Sequence, residues 1–368
     1  MRVTLDEVCT KATSKYAQKD LANMTGEYPV FGASGFIKNI GVYQQEKTYV
    51  AVVKDGAGIG RTMLLPGKSS VIGTMQYLLP KENVLPKFLY YAVKSMHLEK
   101  YYTGATIPHI YFKDYKKETF DLPEDTRQKE IINIFDKVEL IIQSRKLQLK
   151  ALDELIKSRF IEMFGNPMTN EMGWEKVQLS ACIESIDNGK SLVCDASARQ
   201  GNWPAVLKLS AATYGFYRPE ENKAMLDETQ FAEDAAVRSG DLLFTRKNTP
   251  ELVGMCAYVY DTPSRLMMPD LIFRLNTTNR CNKVFLWKLI NHDLFRDCIK
   301  AIATGSAKSM SNISKERLLS LEIILPPAVL QEQFAAFVVQ TDKSRLLFKC
   351  QLLQYHSIED IIRGRNYG

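Results

Sequence analysis

Arg127–Phe164 reads RQKEIINIFDKVELIIQSRKLQLKALDELIKSRFIEMF, without a proline or glycine to interrupt it. Apolar side chains fall at Ile131, Phe135, Val138, Ile142, Leu149, Leu152, Ile156 and Met163. The steps alternate four and three, with Arg145 and Arg159 holding the heptad positions that break the series. That spacing is the seam of a coiled coil, narrower than the stripe of a helix lying on a globular core. At 1.5 Å per residue, about 38 residues make a rod about 57 Å long, more than a compact domain buries. Gly165-Asn166-Pro167 stops it and opens a linker. The stretch predicts a helix that spans between domains.

A second rod follows from Ala328 to about Ile362, with Phe334, Val338, Thr341, Phe348, Leu352, Tyr355 and Ile362 in the same register. Arg345 sits in it much as Arg145 sits in the first, and Arg363-Gly364-Arg365-Asn366-Tyr367-Gly368 is expected to end it early. Neither seam is stable in water, and one chain supplies both. The economical expectation is an antiparallel coiled coil with a domain at each end; the alternative is that each helix docks separately on its own domain.

Working outward, the segments that precede the two rods repeat one another. Each opens with a short strand (Val3-Thr4-Leu5; Trp174 to Leu179). Each has a Thr-Gly step about a hundred residues later, Thr103-Gly104 and Thr304-Gly305, then a Leu-Pro, Leu122-Pro123 and Leu325-Pro326. A Gln-rich helix start comes next, Arg127-Gln128-Lys129-Glu130 and Leu330-Gln331-Glu332-Gln333. Between these landmarks β-rich runs lie at Thr48–Val53, Met63–Leu65 and Met75–Leu79, then at Asp241–Phe244, Cys256–Tyr260 and Leu271–Leu275. Amphipathic helices follow at Lys87–Lys100 and Val284–Ile299. The fold class expected is α+β: two similar globular domains, 1–124 and 167–327, joined by long helices at 125–166 and 328–368.

Composition narrows the function. The chain has 368 residues, 45% hydrophobic and 24% charged, with a formal net charge of +6, which permits a polyanion partner without requiring one. There is no apolar run of about 18 residues, and MRVTLDEVCTK lacks the basic and apolar regions of a signal peptide, so a cytoplasmic protein is expected. Seven scattered cysteines without a C-x-x-C, and four histidines, offer no close ligand pairs, so reduced thiols and no metal are expected.

Enzyme motifs fail in context. Lys54-Asp55-Gly56-Ala57-Gly58-Ile59-Gly60-Arg61 imitates a dinucleotide loop, but Arg61 holds the third glycine's place and a strand-like run follows. Leu65-Pro66-Gly67-Lys68-Ser69 would need a glycine where Thr62 stands. Asn166-Pro167-Met168 and Pro326-Pro327-Ala328 lack the aromatic that an adenine methyltransferase stacks on a flipped base. No acidic metal cluster or nucleophile elbow occurs, and no catalytic residue is expected.

What remains is loops where glycine, small hydroxyls and basic groups coincide. In the first domain these are 54–61 and 103–109, with Lys54, Gly58, Arg61, Thr103, Thr106 and His109. In the second they are 245–249 and 304–312, with Thr245, Arg246, Lys247, Asn248, Lys308 and Ser309. Glycine lets backbone N–H groups approach phosphates, hydroxyls bond them, and Arg, Lys and Asn reach base edges. Arg61, Arg246 and Asn248 are the candidate base readers; Lys54, Lys247 and Lys308 are candidate phosphate contacts.

Duplicated units each closed by Leu-Pro, a Gln-rich start and a long helix resemble the specificity (S) subunits of type I restriction-modification systems. In the first unit Tyr28–Gly35, the Val52–Arg61 loop and Leu122-Pro123 carry the resemblance, with Phe164-Gly165-Asn166-Pro167 after the rod. In the second it is carried by Trp203-Pro204, Gly240–Arg246, Thr304-Gly305 and Leu325-Pro326. The resemblance implies two target recognition domains reading the unlike halves of a bipartite double-stranded DNA site, with the helices as a ruler. It also implies a non-catalytic chain without its own cofactor. Such a chain binds two modification subunits, which carry S-adenosylmethionine and methylate adenine, and restriction subunits in the full complex. A free-standing DNA methyltransferase or nuclease, or a coiled-coil scaffold without DNA binding, are the alternatives.

Overall fold

A computed structural model of the chain describes every residue except 105–106, 306–309 and 368, with side chains described as far as residue 355. The chain divides into two compact units, residues 1–148 with 348–368, and residues 149–347.

In the first unit a four-stranded antiparallel sheet runs in the order Cys9–Thr13, Met75–Pro80, Tyr49–Val53, Thr62–Leu65. All five residues of the strand Tyr49–Val53, YVAVV, are fully buried. Both faces of this strand are covered, so it is continuously apolar rather than alternating. Val50, Val52 and Leu78 pack with the helix Pro86–Ser95 through Phe88, Leu89 and Ala92, and with Phe120 and Phe135. Tyr49, Ala51, Val53, Met75 and Tyr77 form the core of the other face. A smaller sheet orders Gly35–Ile40, Tyr28–Gly32 and Ser70–Val71, its last pair parallel. Arg2–Thr4 pairs with Thr119–Asp121 and draws the two ends of the globular part together.

The second unit repeats this wiring. Its main sheet orders Ile183–Asn188, Ile272–Thr277, Leu242–Thr245 and Cys256–Tyr258, all antiparallel. Its smaller sheet orders Asn222–Ala224, Ala205–Leu207 and Leu266–Met267, again ending in a parallel pair. Glu175–Gln178 pairs with Glu322–Leu325, and the helix Lys283–Asn291 takes the place of Pro86–Ser95. The duplication read from landmarks is therefore a duplication of strand order and register.

The Gln-rich starts have a structural reason. Gln128 is buried; its Oε1 accepts from the Leu85 N–H (2.9 Å), and its Nε2 donates to the carbonyls of Asn83 (3.1 Å) and Pro123 (3.0 Å). Gln331 makes the same three bonds, from the Asn282 N–H (2.8 Å) and to the carbonyls of Arg280 (3.1 Å) and Pro326 (2.7 Å). A buried amide side chain thus locks each long helix to the loop before the short helix, satisfying one backbone N–H and two carbonyls.

The long helices are Asp125–Phe164 and Ala328–Tyr367. The second runs on beyond the early end expected of it; Ile362 lies outside the described side chains. Ile131, Phe135, Val138, Ile142 and Ile156 are buried, and so are Phe334, Val338 and Thr341. At its C-terminal end the first seam departs from the expected Arg159 and Met163. Four-residue steps carry it through Phe160 and Phe164, both fully buried, while Arg159 is half-buried.

Within the second unit Phe160 and Phe164 stand edge-on to Phe334, with ring centroids 5.5 and 5.3 Å apart. There Arg159 lies over Phe337 and Arg345 bonds Asp153 and Asp342. Within the first unit the Arg145 guanidinium lies 4.8 Å from the Phe348 ring centroid.

Two expected helices are shorter than the sequence suggested. Lys87–Lys100 is the helix Pro86–Ser95, then a left-handed His97 (φ 50) and the turn Leu98–Tyr101. Val284–Ile299 is two helices, Lys283–Asn291 and Arg296–Ala301, broken at His292, which leaves the helical region (ψ 131).

Candidate nucleic-acid interface

In each unit the loop after the strand Tyr49–Val53 or Leu242–Thr245 meets the loop that carries the Thr-Gly step. In the first, Thr103 and His109 exchange backbone N–H···O bonds of 2.9 Å each, and Thr103 Oγ1 donates to the His109 carbonyl (3.1 Å). In the second, Thr304 and Asn312 exchange bonds of 2.8 and 2.7 Å, and Thr304 Oγ1 donates to the Asn312 carbonyl (3.1 Å). The next residue then ties this hairpin to the other loop: Ile110 N–H donates to the Lys54 carbonyl and Ile313 N–H to the Arg246 carbonyl, both 2.9 Å. Gly104 (φ 104) and Gly305 (φ 140) supply the turn after threonine; a Cβ on Gly104 would stand 2.5 Å from the Ile107 carbonyl oxygen.

This lattice fixes which residues correspond. Lys54 matches Arg246, Asp55 matches Lys247, and His109 matches Asn312. Arg61, whose carbonyl takes the Val53 N–H, matches Met255, whose carbonyl takes the Thr245 N–H. Arg61 and Arg246 are therefore not counterparts, although both stand in the recurring loops.

In the first unit Lys54, Asp55 and His109 form a chain: Nζ to the Asp55 carboxylate at 3.5 Å, and that carboxylate to His109 Nδ1 at 2.7 Å. Tyr111, half exposed, stacks against His109. Arg61 is exposed; its Nη1 donates to the Ala33 carbonyl (2.8 Å) and its guanidinium lies over Gly58, whose φ of 103 suits glycine. Lys54, Gly58, Arg61, Thr103 and His109 thus come together on one rim. Thr106 lies outside the described residues.

In the second unit Arg246 is half-buried, donates to Asn312 Oδ1 (3.4 and 3.3 Å) and lies 4.9 Å from the Phe273 ring centroid. Lys247 beside it is half-buried and in no ion pair among the described residues. Two expectations are corrected here. Thr245 is fully buried, its hydroxyl accepting from the Met255 N–H (3.0 Å). Asn248 is buried too, its amide donating to Thr213 Oγ1 and accepting from the Thr249 N–H. Both hold the loop's shape instead of facing a ligand, because they pair in the strand ladder or end it. Lys308 and Ser309 lie outside the described residues.

Sequence reading passed over Asp55, Tyr111, Asn312 and Lys315. Lys315 donates to the Ile186 carbonyl and lies 5.7 Å from the same Phe273 ring that Arg246 covers. The signal for Asp55 and Asn312 was position, one residue beyond a basic residue and at the end of a Thr-Gly loop. Among the described residues no three of His, Cys, Asp and Glu gather into a metal site, and no helix is long and apolar enough to cross a membrane.

Residues 1–152 match the model of the type I restriction modification DNA specificity domain. The first of the two units is thus similar to such a domain. The specificity subunit of the type I restriction enzyme EcoEI from Escherichia coli is 29% identical over 196 residues, 52% of this chain and 33% of that protein. The match therefore spans about a third of this relative's length. A crystal structure of a specificity subunit from M. genitalium superposes with a TM-score of 0.62 at 14% identity, covering 100% of this chain and 96% of that one. A structure of a type I restriction-modification system described for its assembly and conformational transition gives 0.54 at 16% identity, covering 100% and 97%. These likenesses carry the mixed α/β fold of both units.

Proposed function

We propose that the chain reads a bipartite, asymmetric double-stranded DNA target, one half with each unit, and brings adenine-methylating modification subunits and restriction subunits to it. Domains 1–124 and 167–327 are the readers, and the helices of 125–166 and 328–368 pair as the spacer that sets the unread gap. S-adenosylmethionine belongs to the modification subunits, two of which bind the chain in the cytoplasm.

The observation that carries this reading is the same two-loop platform built twice from unlike side chains. One presents Arg61, Lys54 and His109; the other presents Arg246, Lys247 and Asn312. Duplicate scaffolds with different polar tips are what an asymmetric site calls for, since base identity is read by donor and acceptor geometry. Arg145 over Phe348, and Phe160 and Phe164 against Phe334, favour paired helices over separate docking.

The direct test maps methylated adenines in the host with and without the chain. Loss of one bipartite motif with unlike halves is expected. Deleting one heptad from 125–164 is expected to change the preferred gap and leave the half-sites alone. Methyl transfer from labelled S-adenosylmethionine to DNA by the purified chain, with no second protein, would overturn the proposal.

A further inference from the structure

At the loop end of the second unit's main sheet lies a cavity of about 480 Å³ whose lining includes Lys190, Lys208, Lys223, Ser191, Ser210 and Asp270. Topology puts it beside the reading loop. Asn188 ends one strand opposite Phe273, Thr245 ends another opposite Ile272, and the Arg246 N–H donates to the carbonyl of Leu271, itself in the cavity wall. Lys190, the Arg246 loop and the segment before Ile272 therefore share one end of the sheet.

The charges in the cavity are unbalanced. Three lysines face one carboxylate, Asp270, among the lining residues. Lys190 is paired with Asp234 at 3.0 Å, and the Ser210 hydroxyl is taken by Glu221 (2.7 Å). Among the described residues Lys208 and Lys223 enter no ion pair or side-chain hydrogen bond, and neither does the Ser191 side chain. Two cations without counter-ions in a concave wall whose remaining lining is largely apolar form an anion seat suited to phosphate oxygens.

The first unit supplies the reason for choosing DNA. Strand register makes Lys208 the counterpart of Ala33, because Phe31 pairs with Val71 as Val206 pairs with Met267. Ala33 is where the Arg61 guanidinium is anchored, and the second unit has Met255 in place of Arg61. The same corner of each scaffold thus carries a cation, delivered from the strand after the reading loop in one unit and from the small sheet in the other. We propose that this cavity seats DNA backbone phosphates through Lys208 and Lys223, adding sequence-independent affinity on the second unit only. The inference rests on the DNA-reading proposal above and adds a surface to it.

The test measures binding of the full chain to a duplex of arbitrary sequence over a series of salt concentrations. Lys208→Gln/Lys223→Gln is compared with the wild type and with Lys208→Arg/Lys223→Arg, after thermal unfolding has shown that all three fold. Each lost phosphate contact lowers the slope of log K against log salt by about 0.9. The Gln pair is expected to flatten it by about 1.8 and the Arg pair to keep it. An unchanged slope in the Gln pair, with the wild type binding DNA normally, overturns the phosphate seat and leaves the reading loops standing. Binding of inorganic phosphate that DNA does not displace would assign the cavity to a free anion and overturn it too. A wild type without salt-dependent binding sinks both proposals.

Discussion

In the first unit Tyr77 stands at the centre of the main sheet; in the second, the residue in the same register is Arg274. Tyr77 is neutral, its phenol accepting from the Val71 N–H (2.8 Å) and donating to Gln44 Oε1 (3.0 Å). Arg274 is buried and bonds Asp187 (2.9 Å), Asp241 (3.2 Å) and the carbonyls of Ala236 (2.8 Å) and Asp234 (2.6 Å). Burial pushes Asp187 up, but its hydrogen bonds from Arg274 and Asn276 and the nearby charges outweigh this and hold the carboxyl below the ordinary range. One strand lattice therefore accepts a neutral or an ionic centre. Topology is set by the runs of apolar residues on the strands, while the polar nodes are free to diverge once each is fully satisfied.

Removing the two centres gives the largest expected contrast. Arg274→Met strands Asp241 in a buried site and orphans two carbonyls, which is expected to cost about 3–5 kcal/mol. Tyr77→Phe loses two neutral hydrogen bonds and is expected to cost about 1–2 kcal/mol. Urea unfolding of the single variants reads both. Equal losses would mean that the ionic centre is no more committed than the neutral one. Acid sharpens the same contrast. A depressed carboxyl such as Asp187 contributes stability that is present above its unfolded pKa and lost as the pH falls through the lower folded value. The wild type's advantage over Arg274→Met should therefore shrink below about pH 4.

Where the units agree, the expected effects agree. Gln128→Leu and Gln331→Leu each take the side-chain partner from one backbone N–H and two carbonyls, for an expected loss of about 2–3 kcal/mol in either unit. Matching losses in urea would support equivalent joints between helix and unit. A large loss in only one would break the equivalence drawn from their identical hydrogen-bond sets.

Much of this architecture is legible in the sequence. Heptad spacing is a local property, so the rods could be read from Ile131 to Ile156 directly, and the Thr-Gly, Leu-Pro and Gln landmarks mark turns whose backbone demands are the same in both units. Correspondence between loop residues was not legible. The offset between units is 192 from Lys54 to Arg246 but 203 from His109 to Asn312. Loops of unequal length intervene, and only strand register shows that Arg61 answers to Met255. Thr245 and Asn248 were misjudged for a related reason: a polar residue in a basic loop looks exposed until the ladder shows which way its Cβ points. The lysine cavity draws on residues from 190 to 271 and leaves no local pattern to read.

The smallest contrast lies on the short helices. Counted from the Gln128 and Gln331 joints, Lys288 is the counterpart of Tyr91 on the short helix, and Asp342 the counterpart of Glu139 on the long one. Tyr91 donates to Asp136 (2.7 Å) and Glu139 (3.2 Å); burial, then those acids, push its phenol far above the ordinary value. Lys288 lies 3.3 Å from the Trp287 ring centroid, and burial pushes its ammonium from 10.5 down to about 8 against the pull of Asp342. For a base whose folded pKa is lowered, the unfolded chain holds the proton more tightly between about pH 8 and 10.5, so stability rises with pH across that window. Below it the burial penalty is complete. Lys288→Met is therefore expected to stabilise the chain at pH 7 by about 1 kcal/mol, once the surrounding charges have offset part of the penalty. That advantage should fade as the pH approaches 10.5. Tyr91→Phe is expected to destabilise at pH 7 by about 1 kcal/mol. Urea midpoints at pH 7 and pH 10 measure both, and a Lys288→Met advantage that does not shrink with pH would mean that the lysine is not strained by burial in the folded unit.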